Sequence, residues 1–199
     1  MPSVRRDLRH RLFALAAGQG GYFTAAQAKT VGYSHQAQAH HVHAGNWRRV
    51  DRGLFRLVDW VPGMHDELAR WTLWSDGKGV VSHETALAVD DVGELESARV
   101  DLTVPPGFRK RDHAVRLHVS DLLPGDVVEH AGFRMTTPVR SLIDVAAGGV
   151  DEEQLARAID DARTKGLVTP RLLRERAEAL DPKAALYIER ALARAAQGM

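Results

Sequence analysis

Between residues 34 and 45 the chain reads SHQAQAHHVHAG, four histidines and two glutamines with Val42 as the one large aliphatic residue. Imidazole and carboxamide groups both donate and accept hydrogen bonds, and imidazole also ligates metals. The stretch therefore suits either the reading of base edges or the holding of an ion. At 100° per residue His35, Gln36, Ala39, His40 and His43 fall within one arc of about 140°, leaving Ala37, Gln38, His41 and Val42 to pack inward. Trp47-Arg48-Arg49-Val50-Asp51-Arg52-Gly53 follows, with three guanidinium groups suited to phosphate. On this pattern Ser34, His35, Gln36, His40 and His43 are the expected base-reading residues. Lys29, Arg48, Arg49, Arg52 and Arg56 are expected on phosphates or in a wing. For a metal, His40 and His43 stand at i, i+3 and His35 or His41 could join them. No cysteine or third carboxylate ligand is near, so neither metal nor cofactor is expected. A merely solvated helix face would leave the basic stretch unexplained.

Three other constellations resemble catalytic sites, and each lacks a part. Asp101-Leu102-Thr103 sits on an expected strand after Gly93, as in a nucleotidyltransferase, but Thr103 stands where two-metal chemistry wants a second carboxylate. A restriction-type nuclease needs acid-x-Lys on a strand, and Asp181-Pro182-Lys183 opens a helix instead. Ser82-His83-Glu84 has the residue types of hydrolysis, yet three adjacent residues make no mutually hydrogen-bonded triad and no Gly-x-Ser-x-Gly elbow exists. Ser82 is read as a helix cap. No enzyme is expected.

The elements that must position these residues are legible from periodicity and punctuation. Leu8, Leu12 and Leu15 recur at helical spacing over 4–17, ahead of Gly18. A short extended piece at Gly20-Gly21-Tyr22-Phe23 leads to Thr24, which caps a helix over 25–30; Ser34 caps the histidine-rich helix, which stops at Gly45. Strands at 47–50 and 54–57 flank Asp51-Arg52-Gly53, where Gly53 supplies the positive φ of a tight hairpin. Helix, strand, helix, turn, helix, hairpin is the order of a winged helix-turn-helix. After Val61-Pro62-Gly63 come a helix over 65–75, a short strand at 80–81 and a helix over 84–89. Strands are expected at 100–104, 115–119, 126–130 and 133–136. Thr137-Pro138, Thr169-Pro170 and Asp181-Pro182 each place a capping side chain before a proline at a helix start, and Asp151 with Gln154 suggests a capping box. The fold class is thus α+β, an N-terminal winged helix-turn-helix followed by a mixed α/β domain ending in helices.

The 199 residues carry a net charge of only +1, but it is unevenly spread. Residues 1–62 hold nine Lys/Arg and three acids, a net +6, and residues 63–199 are left at −5. A basic front suits a polyanion, and an acidic back suits something else. The absence of cysteine excludes a disulfide frame and thiolate chemistry and fits a reducing compartment. Arg9, His10 and Arg11 interrupt the first apolar run, which reads as an amphipathic helix rather than a leader. No apolar stretch approaches the ~20 residues of a membrane span. A soluble, cytoplasmic protein is expected.

Gly21-Tyr22-Phe23-Thr24, Gly32-Tyr33-Ser34 and Gly45-x-Trp47-x-Arg49-Val50-x-Arg52-Gly53-x-Phe55-Arg56-Leu57 resemble the N-terminal domain of AbiEi-family antitoxins. The similarity continues through Val81-Ser82-His83-Glu84-Thr85-Ala86-Leu87, Val100–Val104 and Thr136-Thr137-Pro138-Val139-Arg140-Ser141-Leu142-Ile143-Asp144, covering most of the chain. The resemblance implies an antitoxin of a toxin–antitoxin system. Its winged helix-turn-helix, residues 1–61, would repress its own operon at inverted repeats in double-stranded operator DNA. Its C-terminal domain, residues 62–199, would counter a neighbouring nucleotidyltransferase toxin, directly or indirectly. The sequence departs from such relatives at His35, Gln38, His40 and His41, where arginine and leucine are common. Two alternatives stand beside this reading: a metal- or ligand-responsive repressor without a toxin, and an enzyme with an unrecognised site in residues 63–199.

Overall fold

The computed structural model describes residues 2–95 and 97–197. The chain divides into two compact units. One runs up to Lys78 and takes in Glu129–Phe133; the other comprises Gly79–Val128 and the chain from Arg134 onward.

The first unit is built in the order α1 (Pro2–Ala17), β1 (Tyr22–Thr24), α2 (Ala25–Val31), α3 (His35–His43), β2 (Trp47–Asp51), β3 (Leu54–Leu57) and α4 (Asp66–Trp74). The three strands form an antiparallel sheet in the order β1-β3-β2. Leu12, Ala16, Phe23, Ala28, Val31, Tyr33, Trp47 and Phe55 form its core, with Ala37 and Val42 of α3 packed against them. Thr24 and Gln27 close a capping box on α2 by reciprocal bonds of 3.1 and 2.8 Å, which fixes where that helix starts. Gly32 ends α2 at φ +123°, a backbone conformation that favours glycine. Gly53 turns the hairpin at φ +71° as its position predicts. The unit extends past the expected boundary at residue 61 because Asp66, the first residue of α4, is tied to the wing. Its Oδ2 accepts from Arg56 Nη2 (2.8 Å), Trp60 Nε1 (2.8 Å) and the Gly63 N–H (2.7 Å).

The chain continues with β4 (Val80–Val81), α5 (His83–Val89), β5 (Val100–Val104), β6 (Val115–Val119), β7 (Val127–His130), β8 (Phe133–Thr136) and helices α6 (Pro138–Gly148), α7 (Glu152–Thr164), α8 (Pro170–Leu180) and α9 (Pro182–Gln197), which make up the second unit apart from the Glu129–Phe133 hairpin segment. The sheet of these strands runs β6-β5-β4-β8-β7, with β5 parallel to β6 and antiparallel to β4. The helical part closes over Leu142, Ile143, Leu155, Ile159, Leu173 and Ile188, a buried apolar core typical of packed helices. Thr137, Asp151, Thr169 and Asp181 all cap as expected, each accepting backbone N–H groups of the first turn. The chain is therefore α+β, with a winged helix-turn-helix in front and a mixed α/β part ending in helices. Among the described residues no helix is long and apolar enough to cross a membrane.

Candidate nucleic-acid interface

Helix α3 sorts its polar side chains as its wheel predicts. Ser34, His35, Gln36, Ala39, His40 and His43 are exposed. The inward arc is polar too, and each of its members is satisfied. Gln38 is only 3% exposed, and its Nε2 donates to the carbonyls of Ala25 (3.0 Å) and Tyr33 (3.1 Å), stapling α3 to α2 and the turn between them. His41 stacks on Trp47 at 4.7 Å and 13°, with its Nδ1 3.1 Å from Asn46 Nδ2. Burial, then the neighbouring His40 charge, holds the His41 pKa below the ordinary range. The described residues contain no group of three His, Cys, Asp or Glu placed to hold a metal. Ser34 accepts the Ala37 N–H at 3.2 Å. Its oxygen is committed to the cap, and its proton remains free to donate.

The expected phosphate set needs revision. Lys29, Arg48, Arg49 and Arg52 are exposed. Consecutive residues of a strand face opposite ways, so Arg48 and Arg49 lie on opposite faces of the sheet, Arg48 opposite Arg56 and Arg49 opposite Phe55. Arg49 rests its guanidinium 5.7 Å from the Phe55 ring. Arg56 does not face outward. It is 12% exposed, paired with Asp66 at 2.8 Å, and lies 4.7 Å over the Tyr22 ring. Its charge is neutralised inside the unit, so it leaves the phosphate-contact set and becomes a tie between wing and α4. Three further exposed arginines, which the sequence reading did not single out, lie beside α3. Exposed Arg5, Arg6 and Arg9 of α1 line a groove of about 640 Å³ together with Ser34, Ala37 and His40 of α3. Their i, i+1, i+4 spacing on an amphipathic helix, with Leu8 and Leu12 fixing which face is inward, was the available signal.

The residues weighed for catalysis also come together, in the second unit and by an unexpected route. Asp101 and Thr103 of β5 stand in register with Arg116 and His118 of β6, and the period of two puts all four on one face of the sheet. His118 Nε2 lies 2.8 Å from Asp101 Oδ1, and Thr85 donates to Asp101 Oδ2 at 3.1 Å. Burial pushes the Asp101 carboxyl up, but hydrogen bonds from His118 and Ser97 outweigh it and hold the pKa below the ordinary range. An ionised carboxylate only accepts, so His118 donates through Nε2. Ser82 occupies the cap position of α5 without capping it, which corrects the reading of it as a helix cap. Its hydroxyl receives Thr103 Oγ1–H at 2.9 Å and lies 2.9 Å from His83 Nδ1, drawn there because His83 takes φ +52°. Adjacent Ser82 and His83 bond each other but make no triad with Glu84, which stays out of the pair, and the carboxylate partner of an imidazole is Asp101, on His118. The His83 and His118 rings stack at 3.5 Å. Burial, then the charge of His118, pushes His83 down to about 3, so it is neutral.

Residues 10–58 match the AbiEi antitoxin family of transcriptional regulators. The AbiEi match covers α1 from its middle, the histidine-rich helix and the wing, ending at Val58. No curated protein matches the chain. Among solved structures it is similar to the crystal structure of the RV2827C protein from Mycobacterium tuberculosis, with a TM-score of 0.61, 12% identity, and coverage of 96% of this chain and 78% of that one. At that identity the likeness concerns the fold, and it extends well beyond the AbiEi module.

Proposed function

We propose that the protein is an antitoxin that binds operator DNA through α3 and the wing and represses its own operon, with the second unit countering a neighbouring nucleotidyltransferase toxin. The observation that carries this reading is the division of α3: its inward face is locked by Gln38 and His41, and its outward face offers hydrogen-bonding groups with nothing to bond. A major groove admits such a helix, with its N-terminal residues on base edges. Gln36, His35 and His40 read bases, His43 extends the set, and Lys29, Arg48, Arg49 and Arg52, with Arg5, Arg6 and Arg9, hold phosphates on either side. Two copies on an inverted repeat would match operator symmetry to protein symmetry.

The test pairs a promoter reporter with a growth assay in cells carrying the adjacent toxin gene. Gln36→Ala in the full chain is expected to lose repression while keeping rescue, because the substitution touches only the outward face of α3. Loss of rescue together with retained repression would contradict the assignment of DNA reading to α3. Rescue by a cell lacking the protein altogether would remove the antitoxin reading.

A further inference from the structure

A cleft of about 750 Å³ opens over the polar face of β5 and β6, within the roughly 300–1,000 Å³ of small-molecule sites. Its lining is acidic. Glu84, Asp121, Asp144 and Asp181 stand against two arginines, Arg116 and Arg140, while the C-terminal end of α6 is already met by Lys183, whose Nζ donates to the Ala147 carbonyl at 3.0 Å. Arg140 is committed to Asp144 (2.8 Å), Asp126 (3.1 Å) and Ser120 (3.3 Å). Arg116 is not committed in this way. Its Nη1 lies 3.6 Å from Asp101 and 3.7 Å from Glu84, beyond hydrogen-bond distance, with its side chain 43% exposed. Beside it, Glu84 Oε2 is buried without a hydrogen-bond partner, as is Asp144 Oδ2. Buried acceptors without donors are a standing cost that an incoming N–H removes. Burial raises the pKa of both carboxyls, the direction a bound cation would reverse.

We propose that this cleft binds a guanidinium- or amine-bearing ligand. Its N–H groups reach Glu84 and Asp144 once Arg116 swings aside, and the N–H left on His83 meets an acceptor beside the cationic group. The proposal does not rest on the DNA-binding reading, since every residue in it belongs to the second unit. The same cation can be presented by a free small molecule or by an arginine side chain of a partner protein.

The experiment titrates the intact protein with argininamide, with the blocked peptide acetyl-Gly-Arg-Gly-amide, and with citrullinamide as the neutral isostere, following the imidazole NMR signals of His83 and His118 and the melting temperature. Saturable argininamide binding that moves both rings and is about tenfold weaker in Glu84→Gln or Asp144→Asn is expected. Arg116→Ala, a substitution at an exposed side chain, should tighten it. Binding of argininamide but not the peptide assigns a free small molecule, and the reverse assigns a partner's arginine. Equal binding of citrullinamide, no saturable binding of either cation, or an Arg116→Ala protein that binds no tighter overturns the proposal.

Discussion

Gln36 and Gln38 are two residues apart on α3 and have opposite work. Gln38→Ala leaves the carbonyls of Ala25 and Tyr33 without their donor, and a buried unmade bond costs about 1–3 kcal/mol. Its expected effect is a lower denaturation midpoint with DNA preference intact. Gln36→Ala should leave the midpoint alone and cost about 1–3 kcal/mol on the preferred operator, with little change on random DNA; equal losses on both would move Gln36 to the backbone class. The wheel separated these two residues correctly because the 3.6-residue period is local information. It said nothing of why glutamine and histidine sit inward, since their partners Ala25, Tyr33 and Trp47 come from other elements. Arg56 was misread for the same reason. Strand alternation carries no knowledge of Asp66, ten residues on. Arg56→Ala is accordingly expected to loosen the first unit, seen in its denaturation midpoint, and not to act as a lost phosphate contact.

At the scale of elements, α1 and the wing should each contribute to the salt dependence of DNA binding, at about 0.9 log unit of affinity per log unit of salt for each phosphate neutralised. Arg5→Ala with Arg9→Ala should flatten the slope, as should Arg49→Ala with Arg52→Ala, while leaving the preference among sequences in place. An unchanged slope in a folded Arg49/Arg52 double variant would falsify the wing contact. In the second unit the measurable signature is acid sensitivity. His83 is held neutral with a folded pKa of about 3, below its unfolded value, so its contribution is present above pH ~6.5 and lost as pH falls toward 3. Asp101, also depressed, adds the same sign at lower pH, whereas raised Glu84 and Asp144 act in the opposite sense. His83→Gln should therefore make denaturant stability fall less steeply between about pH 6 and 4; an unchanged slope would mean that His83 is already free to charge. The caps at Thr137, Thr169 and Asp181 were legible because a cap and its helix are neighbours in the chain. The cleft was not. The matched alternation of VDLTV and VRLHV was in view, but only the parallel register of β5 on β6 brings Asp101 to His118.

For the whole molecule, the charge asymmetry of the sequence was the broadest guide: a basic front and an acidic back correspond to exposed arginines beside an outward polar helix face in one unit and an acid-lined cleft in the other. Where the first unit closes was harder to place, because the carboxylate that ties α4 to the wing, Asp66, takes its donors from the wing and the segment after it. The most direct test of the central claim is the affinity of the intact protein for a duplex spanning its own promoter and for a scrambled duplex of equal length, measured by fluorescence anisotropy across a salt series. The account predicts steep salt dependence on both and a preference for the promoter of about 10³-fold or more, which Gln36→Ala reduces. Equal affinity for the two duplexes at every salt concentration, or no measurable binding at low salt, would contradict it.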